Sequence, residues 1–514
     1  MTDTAESQDD VFAYLERPLT HGGASVRRID THAAVVFLAG ERAFKVKRAV
    51  RFPFLDFSTL EKRRQACTAE IEANRPFAPE LYRGVVAITR ERGGALALSG
   101  MGEPVEWAVE MHRFDDTKTL DRLADSGAVD LALADSLARV VAAAHARAPV
   151  VDAAPWVDAL AAYVAQNDAA FREHPGLFPA AATVRLATQS RAVLSRIRPF
   201  LLARGMRGLV RRGHGDLHLG NIALIDGRPV PFDALEFDPL VASGDVLYDL
   251  AFLLMDLVER KLQPAANVVL NRYLAETRRL EDLDALAALP FLMSMRAAIR
   301  AKVTAARVAV ARPTDRVTTE KAATTYFELA AALIDPRPPA LVATGGLSGT
   351  GKSVLARMLA PELMPAPGAV VLRSDVERKA LFGVAETERL PADAYSAEIT
   401  ARTYAALADK ARRVTGAGHS AVVDAVFAAP AERAAMAAVA SAGNVAFRGL
   451  YLTADLATRI ARVGHRAGDA SDADAVVAEQ QEGYELGAMD WSMVDAFGTP
   501  AQTLSRAKGV IHEL

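Results

Sequence analysis

The sequence has little of what several classes of protein require. Its 514 residues include a single cysteine, Cys67, which excludes an internal disulfide framework and a cysteine-based zinc cluster. No apolar run approaches the roughly 18 residues that a membrane-spanning helix needs. The polar, acidic stretch 1–10 lacks the basic and apolar regions of a secretion signal. We therefore expect a cytoplasmic protein without a membrane partner.

An excess of charge of either sign is also missing. The chain has 60 lysines and arginines against 63 aspartates and glutamates, a net charge of −3, and residues 338–514 alone have 17 against 20. Proteins that bind nucleic acids or anionic membranes rely on clustered lysine and arginine. The charge balance therefore argues against nucleic acid as a partner.

What the sequence does contain is a globular composition, with 51% hydrophobic and 24% charged residues, over a length that favours two to four domains. Short apolar segments predict strands in the first 110 or so residues. From about residue 120 to about residue 333 the apolar spacing is helical, interrupted only near 214–233. The predicted strands span 34–38, 43–47, 85–89 and 107–111, and the predicted helices span 60–75, 131–147, 184–204 and 246–262.

Three prolines then mark a boundary. Pro336, Pro338 and Pro339 break the helical pattern, because the residue before a proline disfavours the helical conformation. Beyond them short apolar segments alternate with helices, which is typical of a parallel sheet covered by helices. The predicted strands span 340–344, 369–373, 421–423, 446–452 and 510–512. The predicted domain ranges are 1–113, 114–335, a linker at 336–339, and 340–514.

A polar motif, His-Gly-Asp-Leu-His-Leu-Gly-Asn, has the spacing of a phosphotransferase catalytic loop. In such loops the aspartate, here Asp216, is the base, and the asparagine, here Asn221, binds a metal ion. Asp233 follows, and Asp226-Gly227 between them is a strong signal for a tight hairpin turn. The hairpin would bring Asn221 and Asp233 towards each other. Two oxygen ligands suit Mg²⁺, which retains most of its water.

A cation for nucleotide phosphates is available upstream. Lys45 and Lys47 lie on one face of a predicted strand, because side chains alternate along a strand. Glu70 lies on the predicted helix that follows, so a lysine–glutamate pair of the kinase type is available. Lys45 is our preferred phosphate lysine, and Lys47 is the alternative.

A second nucleotide-binding signature begins at Gly346, about 130 residues after the motif at 214–221. It fits G-x-x-x-x-G-K-[ST], whose backbone N–H groups and following helix cradle phosphates. A predicted strand enters this loop and a predicted helix at 354–359 leaves it. We expect Lys352 to reach the β- and γ-phosphates and the Ser353 hydroxyl to bind Mg²⁺. The predicted nucleotide-binding residues are Gly346, Ser348, Gly349, Thr350, Gly351, Lys352 and Ser353.

Two aspartates and a group of arginines follow the second signature. Asp375 and Asp424 come directly after predicted strands, at the edge where a parallel sheet exposes its ligands. We predict that Asp375 orients the acceptor hydroxyl and that Asp424 binds metal, although either could instead cap a helix. Arg378, one turn after Asp375, can hold an anionic substrate. A predicted lid would bring arginines onto the transferring phosphoryl group. These arginines are Arg459, Arg462 and Arg466.

The first motif resembles the aminoglycoside phosphotransferase family. The resemblance rests on 214–221, Asp233, Asp245 and Asp249, and it covers roughly residues 10–335. It implies an α+β bilobal protein-kinase-like fold, with a small lobe at 1–113 and a helical large lobe at 114–335. It also implies phosphorylation of hydroxyl groups on small molecules.

Further stretches resemble a subgroup of that family that is fused to a P-loop kinase. They lie at 43–47, 54–57 and 246–252. The resemblance implies that Asp216 is the base, that Asn221 and Asp233 bind metal, and that 110–112 form the hinge that meets adenine. One departure is the missing G-x-G-x-x-G-x-V loop before Lys45, for which Gly22-Gly23 is a poor substitute.

The last part of the chain, roughly 338–514, resembles small P-loop kinases of the gluconate kinase, polynucleotide kinase and chloramphenicol phosphotransferase type. The matching stretches are the phosphate-binding loop, 373–375 with Arg378 and Lys379, and 462–472. The resemblance implies an α/β P-loop NTPase fold with a parallel sheet. It makes Asp375 the base or the residue that orients the acceptor, and it makes Arg466 a lid arginine.

Together these motifs predict a bifunctional phosphotransferase that uses ATP and Mg²⁺ at two sites to phosphorylate hydroxyl groups of small molecules. Two alternatives stay open. One domain could be an ATP-binding regulatory module for the other, and the missing glycine loop makes the N-terminal domain the candidate. The C-terminal domain could instead phosphorylate 5′-hydroxyls of nucleic acid, against which the charge balance argues.

Overall fold

The computed structural model describes residues 8–52, 55–238, 240–309, 311–464 and 470–511. They divide into two compact units. The first combines the residues up to 166 with 194–256, and the second combines 167–193 with the residues from 257 onwards. Among the described helices, none is long and apolar enough to cross a membrane.

The first unit begins with an antiparallel sheet of six strands. Their order is β1-β2-β3-β8-β6-β7, and two further short strands, β4 and β5, pair with each other. The strands are β1 (Val26–Asp30), β2 (Ala34–Ala39), β3 (Arg42–Lys47), β4 (Arg51–Phe52), β5 (Leu55–Asp56), β6 (Tyr82–Arg90), β7 (Leu96–Leu98) and β8 (Glu103–His112). The helices beside them are α1 (Asp9–Leu15) and α2 (Leu60–Asn74).

The alternation of side chains along β3 decides which of them face α2. Phe44 and Val46 are buried in the cluster that includes the apolar residues of α1. Ala43 belongs instead to the cluster on the α2 side of the sheet. Because side chains two residues apart share a face, Lys45 and Lys47 lie on the α2 side together with Ala43.

The rest of the first unit is mainly helical. Its helices are α3 (Leu120–Asp125), α4 (Leu131–Arg147), α5 (Ala153–Glu173), α6 (Ala180–Met206) and α7 (Val246–Glu259), of which the last three extend into the second unit. Its strands are β9 (Val210–Arg212), β10 (Ile222–Ile225), β11 (Arg228–Pro231) and β12 (Ser243–Asp245). β10 and β11 form the predicted hairpin, in which Asp226 and Gly227 have φ values of 50° and 74°. Positive φ at both turn residues is what a tight hairpin of this length requires.

The second unit contains a sheet of five parallel strands in the order β14-β15-β13-β16-β17. They are β13 (Ala340–Gly346), β14 (Val370–Arg373), β15 (Ala421–Asp424), β16 (Ala446–Thr453) and β17 (Ser492–Asp495). All residues of β13 and β15 are buried, as expected for central strands with helices on both faces. The sheet therefore has the predicted parallel arrangement.

Eleven further helices complete the described part of the second unit. They are α8 (Gln263–Thr277), α9 (Leu280–Asp284), α10 (Leu289–Val308), α11 (Pro313–Ile334), α12 (Lys352–Leu359), α13 (Ser374–Leu381), α14 (Ala397–Gly416), α15 (Pro430–Ala442), α16 (Leu456–Gly464), α17 (Ala475–Gln480) and α18 (Pro500–Ile511). Short 3₁₀ segments in the chain are Pro18–His21, Asp116–Lys118, Leu219–Asn221, Ala285–Ala287, Ala360–Glu362, Ala392–Tyr395 and Gln481–Gly483.

The strand predicted at 510–512 is wrong. Val510 and Ile511 belong to α18, and His512 lies outside the described residues. They pack on the same core as Ala507, so the apolar spacing is three and four residues, which is helical rather than alternating. The fifth strand is β17, in which Val494 is the single buried residue, so its apolar pattern is too short to recognise in the sequence.

Side chains of helix α8 form hydrogen bonds with backbone groups at one edge of the sheet. β14 is an edge strand, and the side-chain oxygen of Asn271 accepts a hydrogen bond from the backbone N–H of Val371 at 2.7 Å. The side-chain amides of Asn267 and Asn271 both donate to the carbonyl oxygen of Ala369, at 3.0 and 3.1 Å. Because unpaired backbone groups at a strand edge invite further pairing, these two asparagines close the edge and fix β14.

A buried histidine lies next to the same edge. The Nε2 of His419 lies 2.8 Å from the carbonyl oxygen of Gly368, so Nε2 carries the proton, and Nδ1 has no hydrogen-bond partner among the described residues. Burial lowers the pKa of His419 from 6.5 to about 4. Protonation would therefore place a charge without an acceptor in the interior.

We expect the second unit to lose stability as the pH falls from about 6.5 to about 4, because the unfolded chain protonates His419 over this range and the folded chain does not. The loss should approach about 3 kcal/mol. His419→Gln keeps a donor for Gly368 and cannot be protonated, so urea unfolding should give it a flatter pH dependence. His174→Gln, at a half-buried histidine of the same unit, is the control. Equal pH dependence of His419→Gln and the wild-type protein would contradict the prediction.

Candidate active sites

The first site assembles two lysines with the acidic residues of α2 and of the segment after β11. The Lys45 ammonium lies 2.9 Å from one carboxylate oxygen of Glu70 and 2.6 Å from Asp233. The Lys47 ammonium lies 2.5 Å from the other oxygen of Glu70 and also contacts Glu236. Glu70 thus pairs with both candidate phosphate lysines, whereas Lys45 is the one that meets the predicted metal-binding aspartate.

Lys45 and Glu70 both stay charged near neutral pH. Burial opposes the charge on Lys45, but Asp233 and Glu70 outweigh it and hold the pKa of Lys45 well above its usual range. Burial likewise opposes the charge on Glu70, and Lys45 and Lys47 nevertheless lower its pKa. Lys45 therefore keeps the positive charge that a phosphate-binding lysine needs, and Glu70 keeps the negative charge that pairs with it.

The catalytic-loop motif positions Asp216 through its neighbours. The side-chain amide of Asn221 donates to the carboxylate of Asp216 at 2.9 Å and to its carbonyl oxygen at 3.0 Å. The His218 Nε2 lies 3.4 Å from the same carboxylate, whose side chain is 35% exposed. Asp216 is therefore both held in place and accessible, as a base for an incoming hydroxyl must be.

Buried aspartates of α7 hold the backbone of this loop. Asp249 accepts hydrogen bonds from the backbone N–H groups of His214 and Gly215, at 2.8 and 3.0 Å. Asp256 accepts from the N–H of Leu219 at 2.9 Å. The loop that carries Asp216 is thus rigidly attached to a buried helix.

The hairpin brings the two predicted metal ligands of the first site to one end, as expected. The backbone N–H of Phe232 donates to the carbonyl oxygen of Asn221 at 2.9 Å, and Asp233 is the next residue. Asp233 has a φ of 61° and its N–H donates to the Tyr82 hydroxyl, so a strained backbone aims it at Lys45. Among the described residues no cluster of three or more His, Cys, Asp or Glu could hold a metal. Two oxygen-bearing side chains fit Mg²⁺, which needs few protein ligands.

The predicted adenine hinge at 110–112 lies at the end of β8. Glu110 pairs with β3 and β6 on either side, and its carboxylate lies 2.8 Å from Arg42 and 2.9 Å from Arg83. The backbone N–H of His112 donates to Leu81. Contact of this segment with adenine stays a prediction.

The second site contains a phosphate-binding loop of the expected shape. β13 runs into the loop and α12 begins at Lys352, directly after Gly351. Gly349 and Gly351 have φ values of 88° and 94°, and a Cβ on Gly349 would lie 2.5 Å from the carbonyl oxygen of Arg459, so glycine is required there. The Lys352 ammonium lies 3.1 Å from the carbonyl oxygen of Leu347.

The loop is fastened by two arginines of α16 and by Gln481. The N–H of Ser348 donates to the side-chain oxygen of Gln481 at 2.6 Å. Arg459 is buried, donates to the carbonyl oxygen of Ser348 at 2.9 Å, and pairs with Glu482. Arg462 donates to the carbonyl oxygens of Ala496, Gly498 and Thr350. Arg459 and Arg462 therefore hold the main chain in this structure.

Arg466, the remaining lid arginine, lies outside the described residues. The phosphoryl-stabilising role predicted for all three arginines stays a prediction.

The predicted base and metal ligand of the second site lie at the ends of neighbouring strands. Asp375 is in the first turn of α13, directly after β14, and Asp424 is the buried last residue of β15. The Arg373 guanidinium lies 3.3 Å from Asp424 and 3.3 Å from the Ser353 hydroxyl. Ser353 and Asp424 supply oxygen donors of the kind that suits Mg²⁺.

The two basic residues of α13 make contacts with other residues of the same unit. Arg378 is buried, donates to the carbonyl oxygen of Ala394 at 2.8 Å and stacks 4.9 Å above the Tyr395 ring. Lys379 is 3.0 Å from Asp472, which also accepts from the Tyr395 hydroxyl at 2.6 Å. Binding of an anionic substrate by Arg378 stays a prediction.

Three residues of these sites had no role predicted from the sequence. Glu236 had a weak signal, because Asp233, Glu236 and Asp238 lie within six residues, whereas Gln481 had none. Arg373 appeared only as part of a motif, with no role assigned. Each of the three contacts a predicted site residue or the phosphate-binding loop.

Two parts of the chain match known protein families. Residues 95–289 match the phosphotransferase enzyme family, and residues 341–486 match the AAA domain family. An uncharacterized protein of Mycobacterium tuberculosis is 32% identical over 457 residues, which cover 87% of this chain and 88% of that protein. An uncharacterized protein of Mycobacterium bovis matches to the same extent.

Solved structures of kinases match parts of the chain. A choline/ethanolamine kinase family protein from Mesorhizobium loti has a TM-score of 0.36 and 12% identity, covering 64% of this chain and 98% of that chain. A sugar kinase from Janibacter sp. has a TM-score of 0.27 and 20% identity, covering 34% and 95%. The two family matches and the sheet topology confirm the predicted architecture: a kinase-like N-terminal region precedes a P-loop domain with a five-stranded parallel sheet.

Proposed function

The chain belongs to the same family as the uncharacterized mycobacterial proteins, and we propose that it is a bifunctional ATP-dependent phosphotransferase. It joins a phosphotransferase-family region to a P-loop domain of the kinase type. Each site transfers the γ-phosphoryl group of ATP to a hydroxyl of a small molecule. The observation that carries the proposal is that Lys45, Glu70 and Asp233 meet at one point beside an anchored Asp216.

In the first site each residue has a separate role in phosphoryl transfer. Lys45 binds the nucleotide phosphates while Glu70 keeps its ammonium in place. Asp216 accepts the proton of the acceptor hydroxyl, and Asn221 orients its carboxylate. Asn221 and Asp233 would hold Mg²⁺, which when bound neutralises charge on the phosphate oxygens.

In the second site the backbone N–H groups of the glycine-rich loop and the start of α12 bind the phosphates. Lys352 adds the positive charge that the transferring phosphoryl group requires. Ser353 and Asp424 would hold the metal ion, and Asp375 orients the acceptor. The chemistry is the same as in the first site, but every group comes from a different local structure.

A product assay with the full-length chain tests the proposal. [γ-³²P]ATP is incubated with a panel of hydroxylated metabolites and with a 5′-hydroxyl oligonucleotide. Two labelled small-molecule products are expected, one lost in Asp233→Asn and the other in Ser353→Ala. Ser505→Ala, at an exposed serine of α18, serves as the control.

Other outcomes of this assay contradict the proposal in distinct ways. A single product that Asp233→Asn only slows would identify the N-terminal domain as a regulatory module. Label on the oligonucleotide alone would identify a polynucleotide kinase. No labelled product in any reaction would refute phosphoryl transfer to these acceptors.

A further inference from the structure

One arginine of the second site contacts both residues that are predicted to bind its cation. The Nη2 of Arg373 lies 3.3 Å from the Ser353 hydroxyl, and its Nε lies 3.3 Å from the Asp424 carboxylate. The side chains of Arg373 and Asp424 are only 12% and 5% exposed. The guanidinium group therefore lies among the oxygen atoms that a divalent ion would need.

The strand register produces this placement. Arg373 and Asp424 are the last residues of the neighbouring strands β14 and β15 and are direct partners in their parallel pairing. Asp424 is in turn the partner of Thr344 on β13, the strand that leads into the phosphate-binding loop. Directly paired residues of neighbouring strands project from the same face of a sheet, and the strands lie about 4.8 Å apart. The side chain of Arg373 is therefore beside that of Asp424.

We propose that Arg373 is a built-in counter-ion of the second site, which competes with the divalent cation for Ser353 and Asp424. The inference rests on the proposed function, since it takes these two residues as the metal ligands. A guanidinium group and a divalent cation repel each other at this separation. The metal–nucleotide complex therefore binds with Arg373 turned away from the two oxygen atoms.

Such a counter-ion has a physical purpose in the free protein. An isolated carboxylate as buried as that of Asp424 is strongly disfavoured, and the guanidinium group compensates its charge. Arginine also offers several N–H donors in a fixed plane, so it can contact the hydroxyl and the carboxylate together. A displaced guanidinium group would keep its N–H donors available for phosphate oxygens.

A purely structural ion pair would behave in the opposite way. If Arg373 only held Asp424 in position, its removal would disorder a metal ligand and weaken metal binding. Competition predicts that its removal strengthens metal binding. When Arg373 is replaced, a lower Kd for the metal ion indicates competition, and a higher Kd indicates a purely structural role.

The test measures binding of Mn²⁺ by electron paramagnetic resonance, without nucleotide, in the full-length chain. All proteins carry Asp233→Asn, which removes a ligand of the first site. Arg373→Gln is expected to lower the Kd for Mn²⁺ about tenfold, and Arg373→Met, a second uncharged variant, should do the same. Arg373→Lys keeps the charge and should stay within about twofold of the parent.

Two controls accompany the measurement. Arg412→Gln, at an exposed arginine of α14, removes the same charge elsewhere and should leave the Kd unchanged. Asp424→Asn should abolish the added binding in the Arg373→Gln protein. Thermal unfolding verifies that each variant is folded.

An unchanged or higher Kd in both uncharged variants would overturn the inference. Binding of a fluorescent ATP analogue to the same proteins keeps this failure distinct from failure of the proposed function. If the analogue binds and Lys352→Met weakens it, the proposed second nucleotide site stands and only the role of Arg373 is refuted. If the analogue does not bind at all, the proposed second site is refuted and the inference with it.

Discussion

Replacing Asp216 with asparagine is expected to lower the rate of phosphoryl transfer at the first site about a thousandfold, the usual scale for loss of a general base. Asparagine keeps the size of the side chain and its contact with Asn221, which lies 2.9 Å away, but it cannot accept the hydroxyl proton. Nucleotide binding depends on Lys45 and on the metal ligands, so it should change little. The prediction is therefore a fall in kcat with a nearly unchanged KM for ATP.

Steady-state kinetics with the acceptor found in the product assay would measure this effect. Asp226→Asn makes the same chemical change at an exposed residue of the β10–β11 turn, where Asn-Gly is as well suited as Asp-Gly. This control should retain full activity. A fall in kcat of less than about tenfold in Asp216→Asn would show that another group takes the proton.

The second large effect is expected from Lys352→Met, which should lower kcat/KM at the second site by about two to three orders of magnitude. Methionine preserves the length of the side chain and removes the charge that meets the phosphates. The loop itself should persist, because Gly349, Gln481 and Arg459 determine its shape. Both kcat and ATP affinity should fall, unlike the result expected for Asp216→Asn.

Lys508→Met, at a partly exposed lysine of α18, is the matched control for this variant. The product of the first site should form at the wild-type rate in Lys352→Met if the two sites are independent catalysts. Loss of both products from this single change would instead make the second site a regulator of the first.

Much of the fold was predictable because its signals are local. Helix α4 has the predicted bounds, and the β10–β11 hairpin follows from Asp226-Gly227, whose backbone conformation few other pairs of residues adopt. The glycine-rich loop was predictable for the same reason. β17 was missed because an edge strand with one buried residue carries almost no alternation, and 510–512 was misread because a short apolar run fits a helix or a strand.

The candidate sites were less predictable wherever a contact depends on register. The sequence could not choose between Lys45 and Lys47, and the structure explains why, since both reach Glu70 from one face of β3. It could not assign Arg373, because its partners lie 20 and 51 residues away and meet it only through the order of the parallel strands. The contact of Gln481 with Ser348 spans 133 residues and follows from no local pattern.

The two asparagines of α8 have a consequence for how the polypeptide could be dissected. A fragment that started at the prolines 336–339 would leave the carbonyl group of Ala369, just before β14, and the N–H group of Val371 in β14 without these partners. An unpaired strand edge of this kind tends to pair with strands of other molecules, so the shortened protein should precipitate or form oligomers. A soluble half for separate study would need to retain the chain from about residue 257, where the second unit resumes.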